Sequence, residues 1–165
     1  IDKGSKQGIA KGMNVIAGSG LVGIVTDVGP NYSKVRSIID DSSNVSAMVL
    51  TTKDNFNVSG SLMNMNKDKV LPFSELRDEN DKVQQGDPVV TSYVSDQYQQ
   101  GLLIGYIYSV EDNANNLTKS GYITPVVDFQ HLQDVLVITE IKNTGKEDIS
   151  SSKSSSTESE NSTQN

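Results

Sequence analysis

Cysteine and tryptophan are absent from this chain, histidine occurs once, and aromatic residues make up only 5% of its 165 positions. Without cysteine there is no disulfide framework, no thiol chemistry and no cysteine-based zinc site, although this assigns the protein to no compartment. Without tryptophan the usual aromatic platform for a sugar ring is missing, and each core has to be built mostly from Val, Ile, Leu and Met. Basic residues are outnumbered, 14 Lys and Arg against 21 Asp and Glu, giving a formal net charge of −7. That balance argues against nucleic acid, whose binders displace phosphate counterions with Lys and Arg. It argues equally against a polybasic patch for anionic lipid. No apolar run approaches the roughly 18 residues of a membrane-spanning helix, and no signal peptide is visible. The chain opens on Ile1 in mid-pattern, so a fragment or processed product is expected, with any targeting or anchoring segment lying upstream.

What is present is a plan stated twice. Residues 12–28 (GMNVIAGSGLVGIVTDV) return in degraded form at residues 86–110 (GDPVVTSYVSDQYQQGLLIGYIYSV). Each copy has a Gly, a short β-branched run (Val15-Ile16; Val89-Val90), a loop ending in Gly-Leu (Gly20-Leu21; Gly101-Leu102), and an apolar stretch with one internal Gly (Gly23; Gly105). Two copies are too few for a solenoid and predict two related β modules side by side.

Strand signals dominate elsewhere. A period of two predicts one face of Val22, Ile24, Thr26 and Val28 in 21–28, and one of Ile104, Tyr106, Tyr108 and Val110 in 103–110. Shorter runs at 14–17, 34–39, 45–50, 57–63, 87–91, 122–127 and 135–140 are separated by turn chemistry at 18–20, 29–31, 40–44 and 112–116. The fold class expected is all-β, a sandwich or barrel. Only 73–80 and 130–134 leave room for a helical turn, and the polar stretch 64–81 reads as a joint. The domains expected are a first module over 1–74, a second over 75–142, and a Ser-rich tail over 143–165 too polar to offset its chain entropy, hence disordered.

Few residues suggest chemistry. Gly18-x-Gly20-x-x-Gly23 matches a dinucleotide fingerprint in spacing, but a strand follows it where a helix is needed, so it reads as a tight turn and a strand kink. His131 has Asp128 and Asp134 nearby, yet no serine sits in a nucleophile context. The acidic groups at 40–41, 78–81 and 111–113 lack the alternation and terminal acid of a calcium loop. No catalytic residue, metal ligand or cofactor site is expected. Tyr93, Tyr98, Tyr106 and Tyr108 fall in or next to the loop and strand of the second copy, and because Tyr is enriched at protein interfaces the loop pair, Tyr93 and Tyr98, are candidate interface residues.

The chain resembles the MreC family, the rod shape-determining proteins of bacteria. The resemblance is carried by Asp2-Lys3-Gly4, Gly12-Met13-Asn14-Val15, Gly20-Leu21-Val22-Gly23-Ile24-Val25 and Ser33-Lys34-Val35. It continues with Gly86-Asp87-x-Val89-Val90-Thr91-Ser92, Gly101-Leu102-x-Ile104-Gly105 and Pro125-x-x-Asp128-Phe129-x-x-Leu132. One departure stands out: after Thr-Ser the family typically has a Gly-rich, Phe-Pro-containing segment, whereas residues 93–100 here read YVSDQYQQ.

The resemblance implies two small Greek-key-like β-barrels in a chymotrypsin-like arrangement without the catalytic triad. It implies a location outside the cytoplasmic membrane, on an N-terminal transmembrane anchor upstream of Ile1. The function implied is a non-enzymatic scaffold of the cell-elongation machinery. Its partners would be a class B penicillin-binding protein and the rod-complex membrane proteins MreD and RodA, MreB indirectly, and further copies of itself. The partner-binding residues expected are Tyr93, Val94, Tyr98, Leu102 and Leu21. The alternatives are an extracellular serine hydrolase on a double barrel and a peptidoglycan- or glycan-binding module.

Overall fold

The computed structural model describes residues 1–143; beyond Asn143 the expected tail lies outside the described residues. The strands are β1 (Asn14–Ala17), β2 (Gly20–Val28), β3 (Ser33–Ser37), β4 (Asn44–Val49), β5 (Asn55–Ser59), β6 (Leu71–Leu76), β7 (Pro88–Thr91), β8 (Leu103–Asp112), β9 (Lys119–Pro125) and β10 (Leu136–Ile138). A short helix, α1 (Leu62–Asp68), separates β5 from β6.

Six strands close a barrel. β4–β6 and β7–β9 are two antiparallel meanders, joined by β4–β7 and β6–β9 pairing. Because β7 returns to lie beside β4, the order β7-β4-β5-β6 is a Greek key. The other four strands run β10-β1-β2-β3 in a smaller antiparallel sheet, which meets the barrel through a parallel contact between Gly20 and Leu103. The boundary expected between residues 74 and 75 therefore falls inside β6. Pairing, rather than chain order, groups β4–β6 with β7–β9, since closure removes the open edges that either meander alone would leave.

The repeat is a bulged meander built twice. Gly12 and Gly86 both take left-handed φ, 91° and 92°. Gly12 donates to Val25 and Gly86 to Ile107, while Val25 donates back to Met13 and Ile107 to Asp87. Val15 faces Gly23 and Val89 faces Gly105, each beside a bulge. A Cβ on Gly23 would lie 2.1 Å from the Arg36 carbonyl oxygen, and one on Gly105 would lie 2.0 Å from that of Thr124. Each glycine thus lets the third strand of its meander cross closely.

Those bulges overturn the predicted faces. In β2, Leu21 and Ile24 pack into the barrel core, while Val22 and Val25 pack into a second core with Ile9, Met13, Val15 and Val127. The bulge at Val22 breaks the period of two, and β2 is buried on both sides. In β8, Ile104 and Ile107 are buried while Tyr106 and Tyr108 face outward, because the strand bulges at Ile104 and again at Tyr108. A third bulge hid β6: Leu71 and Phe73 point inward, Glu75 takes φ 64°, and Leu76 turns inward again. The resulting spacing of three imitates a helix, but the helical turn expected at 73–80 is instead strand as far as Leu76 and loop beyond it. The joint expected over 64–81 instead holds most of α1 and all of β6. Residues 60–63, predicted as strand, leave β5 and enter α1, where Ser61 caps the helix by accepting from the Asn64 amide at 3.3 Å. Residues 130–134 form no helix.

One end of the barrel is closed by charge. Asp78 is buried and accepts from the Lys82 and Val83 amides, each at 2.9 Å, with the Lys119 ammonium 3.5 Å away. Lys119 also contacts Asp81 and Asp112. Burial alone would raise the Asp78 carboxyl, but the two amides and Lys119 outweigh it and hold it below its ordinary value of 3.8.

Two predictions follow from this geometry. Gly23→Ala and Gly105→Ala should each destabilise the fold by about 3 kcal/mol, read as a lowered urea midpoint; a midpoint unchanged in either would contradict the close crossing. A carboxyl held low in the folded state adds stability above its unfolded pKa that is lost as pH falls through the folded value. The melting temperature should therefore drop on acidification below about pH 4, with a shallower drop in Asp78→Asn. Identical acid limbs for parent and variant would count against it.

Candidate interaction loop at the module junction

Gly12 and Gly86 are 74 positions apart, whereas Gly23 and Gly105 are 82 apart. The eight extra residues of the second copy lie in one place, the tip of the hairpin. In the first copy β1 and β2 are joined by Gly18-Ser19, with Ala17 paired to Gly20 and Gly18 at φ 57°. This is the two-residue turn that the dinucleotide-like spacing was read as. In the second copy the chain leaves β7 after Thr91 and re-enters β8 at Leu103. The intervening loop is a candidate site because it stands on a rigid hairpin at the junction of the two cores.

The loop is held by polar side chains buried at its root. Thr91, fully buried, donates from Oγ1 to the Gln99 carbonyl at 2.5 Å and accepts from the Leu102 amide at 2.8 Å. Ser92 bonds to Asn55, and its amide donates to the Ser46 carbonyl. Ser95 Oγ accepts from the Tyr98 amide at 3.1 Å. The decisive clamp comes from the other module. Asn14, in β1 and buried, donates from Nδ2 to the Gln97 carbonyl at 3.0 Å and accepts at Oδ1 from the Gln99 amide at 2.7 Å. Gln99 Nε2 reaches the Glu140 carbonyl at 3.2 Å, and Lys142 Nζ reaches the Tyr93 carbonyl at 3.1 Å.

This arrangement divides the expected contact residues. Tyr93 and Val94 stand at the tip, 58% and 52% exposed, and are available to a partner. Tyr98 is 2% exposed and Leu21 fully buried; both belong to the barrel core, with Leu102 half-buried against it. Tyr98 and Leu21 therefore anchor the loop from inside instead of facing outward, because the loop folds its second tyrosine into the core cluster that also holds Leu21. Burial pushes the Tyr98 hydroxyl up, with Arg36 acting weakly in the opposite direction. Asn14, Thr91 and Ser95 were missed by sequence reasoning. The available signal was a polar residue beside β-branched runs, Asn14 before Val15-Ile16 and Thr91 after Val89-Val90, where an inward-facing polar group needs a partner.

The residues considered for catalysis lie elsewhere. His131 Nδ1 is 2.7 Å from Asp128 Oδ2 on an exposed turn, and that bond holds the Asp128 carboxyl below its ordinary value. Both side chains stand in open solvent rather than the water-excluded setting that gives such pairs catalytic leverage. Among the described residues Asp134 makes no hydrogen bond to the pair, and His131 has no hydroxyl partner.

Removing the inner anchor should unfold what removing the tip leaves intact. Tyr98→Ala should cost about 3–5 kcal/mol, and Asn14→Ala about 2 kcal/mol by stranding Gln97 and Gln99 backbone groups. Tyr93→Ala should change stability by less than about 0.5 kcal/mol. Chemical denaturation of the three variants checks this, and equal losses at Tyr93 and Tyr98 would refute the division.

A sequence model of the barrel core of the rod shape-determining protein MreC matches residues 1–139. The cell shape-determining protein MreC of Listeria monocytogenes is 31% identical over 160 residues, covering 95% of this chain and 53% of its own length. The chain thus spans about half the length of that relative. A solved MreC structure from Listeria monocytogenes is similar with a TM-score of 0.73 at 31% identity, covering 82% of this chain and 64% of that one. The complex between the penicillin-binding protein PBP2 and MreC from Helicobacter pylori includes a chain of the same fold, with a TM-score of 0.58 at 16% identity and coverage of 75% and 74%. With the doubled meander, the Greek-key barrel and this match over nearly all the described residues, the chain belongs to the MreC family of rod shape-determining proteins.

Proposed function

We propose that this chain is the barrel portion of a non-enzymatic scaffold that organises lateral-wall peptidoglycan synthesis, and that it docks a class B penicillin-binding protein through the Tyr93–Val94 tip. The observation carrying the reading is the loop itself. It is an eight-residue addition to a hairpin, clamped at its root by Asn14 and Thr91, that leaves one aromatic and one aliphatic side chain exposed. A rigid loop offering a few large side chains lowers the ordering cost of association and supplies the kind of anchor that dominates binding energy. Family membership supports the scaffold role, and the existence of a complex between a relative and a penicillin-binding protein supports the class of partner.

In this reading the barrel and its smaller sheet sit outside the cytoplasmic membrane on an anchor encoded upstream of Ile1. No helix among the described residues is long and apolar enough to cross a membrane. Association with MreD and RodA, an indirect link to MreB, and self-association complete the assembly. The open side of β10 offers backbone groups for pairing between copies.

The test is a titration of the purified chain with the extracytoplasmic region of the same organism's class B penicillin-binding protein. Saturable binding is expected, weakened about tenfold or more by Val94→Asp and by Tyr93→Ala with melting temperatures unchanged. Full affinity in both variants would move the docking site away from the tip, and absence of binding by the folded parent would overturn the partner assignment.

A further inference from the structure

The barrel wall over β8 and β9 carries three of the chain's six tyrosines. Pairing places Pro88, Tyr106 and Thr124 in one outward row, and Ser109, Tyr122 and Pro72 in the next. The alternating residues on the same strands, Ile107 and Ile123, are buried in the core. The bulge between Ile107 and Ser109 sets Tyr108 outward as well, opposite Tyr122, which is how a bulge re-aims a side chain. Tyr106, Tyr108 and Tyr122 are 40%, 54% and 39% exposed. Neighbouring strands lie only about 4.8 Å apart, so the three rings form one patch.

We infer that this wall binds a neutral saccharide strand, its sugar rings stacked on Tyr106, Tyr108 and Tyr122. Charge selects the occupant. The chain carries a net charge of −7, yet the exposed charged residues of β8 and β9 are Glu111 and Asp112, both at the far end of β8 from Tyr106. A basic partner finds almost no counter-charge there, and an acidic one finds no cation. An uncharged polyol needs neither, and Ser109, Ser120 and Thr124 supply hydroxyl donors and acceptors beside the rings. An aromatic face with a polar tip on each ring presents apolar surface to the faces of sugar rings while its hydroxyls stay wet. The inference goes beyond the docking loop and does not depend on it, since Tyr93 lies in a different segment.

The absence of tryptophan makes tyrosine emission a direct reporter. The chain is titrated with chitohexaose and with cellohexaose as neutral probes, and with polygalacturonate as an acidic one. Saturable change is expected with at least one neutral probe and not with the acidic one. Tyr108→Ala and Tyr122→Ala should each weaken binding about fivefold or more. Tyr108→Phe and Tyr122→Phe, which keep the ring, should bind within about twofold of the parent, as should Tyr93→Ala. No saturable change with either neutral probe would overturn the inference, as would equal weakening by Tyr93→Ala. Loss of penicillin-binding-protein affinity in Tyr108→Ala, without oligosaccharide binding by the parent, would assign the wall to protein instead.

Discussion

Burial of β2 on both faces is the constraint from which the rest of the molecule follows. One strand supplies Leu21 and Ile24 to the barrel core and Val22 and Val25 to the core beneath the smaller sheet. A strand enclosed on both sides reads as a continuous apolar run, which is why GLVGIV lacks the clean alternation of a half-exposed strand. It also means that neither core is complete without the other. Tyr98 packs into the same cluster as Leu21 and Ile24, so the loop that carries it is part of this shared wall rather than an ornament on the barrel.

The doubled meander shows how an internal repeat can be kept in backbone geometry after it has faded in sequence. Gly12 and Gly86, Val25 and Ile107, and Gly23 and Gly105 retain the same hydrogen bonds, φ angles and close crossings. The residues between them have diverged. What persists is what the backbone needs: a left-handed position before the first strand, and no Cβ where the third strand crosses.

The glycines made the hairpins and the all-β class legible, because Gly at a turn or crossing has few alternatives. Three things were not legible. β6 was hidden by the left-handed Glu75, whose bulge converts a two-residue period into a three-residue one. The grouping of β4–β6 with β7–β9 was hidden because β4–β7 and β6–β9 pairings are long-range and leave no local pattern. Within the loop, sequence flagged Tyr93 and Tyr98 equally, since an irregular segment has no periodicity to say which ring turns inward. The contacts that fix the backbone beside Tyr98 include one from Asn14, 83 residues from Gln97 in the chain and bonded to its carbonyl.

The grip on this loop is a grip on main-chain atoms. Asn14 holds the Gln97 carbonyl and the Gln99 amide, Thr91 holds the Gln99 carbonyl, and Lys142 holds the Tyr93 carbonyl. Every residue type carries the carbonyl and every one but proline the amide N–H, so the loop can keep its path while most of its outward letters are rewritten. A lineage could exchange the Gly-rich, Phe-Pro-containing version for YVSDQYQQ and retain the mount while changing what is mounted. Such a mount lets the exposed residues of the tip vary without any change in the strands that carry it.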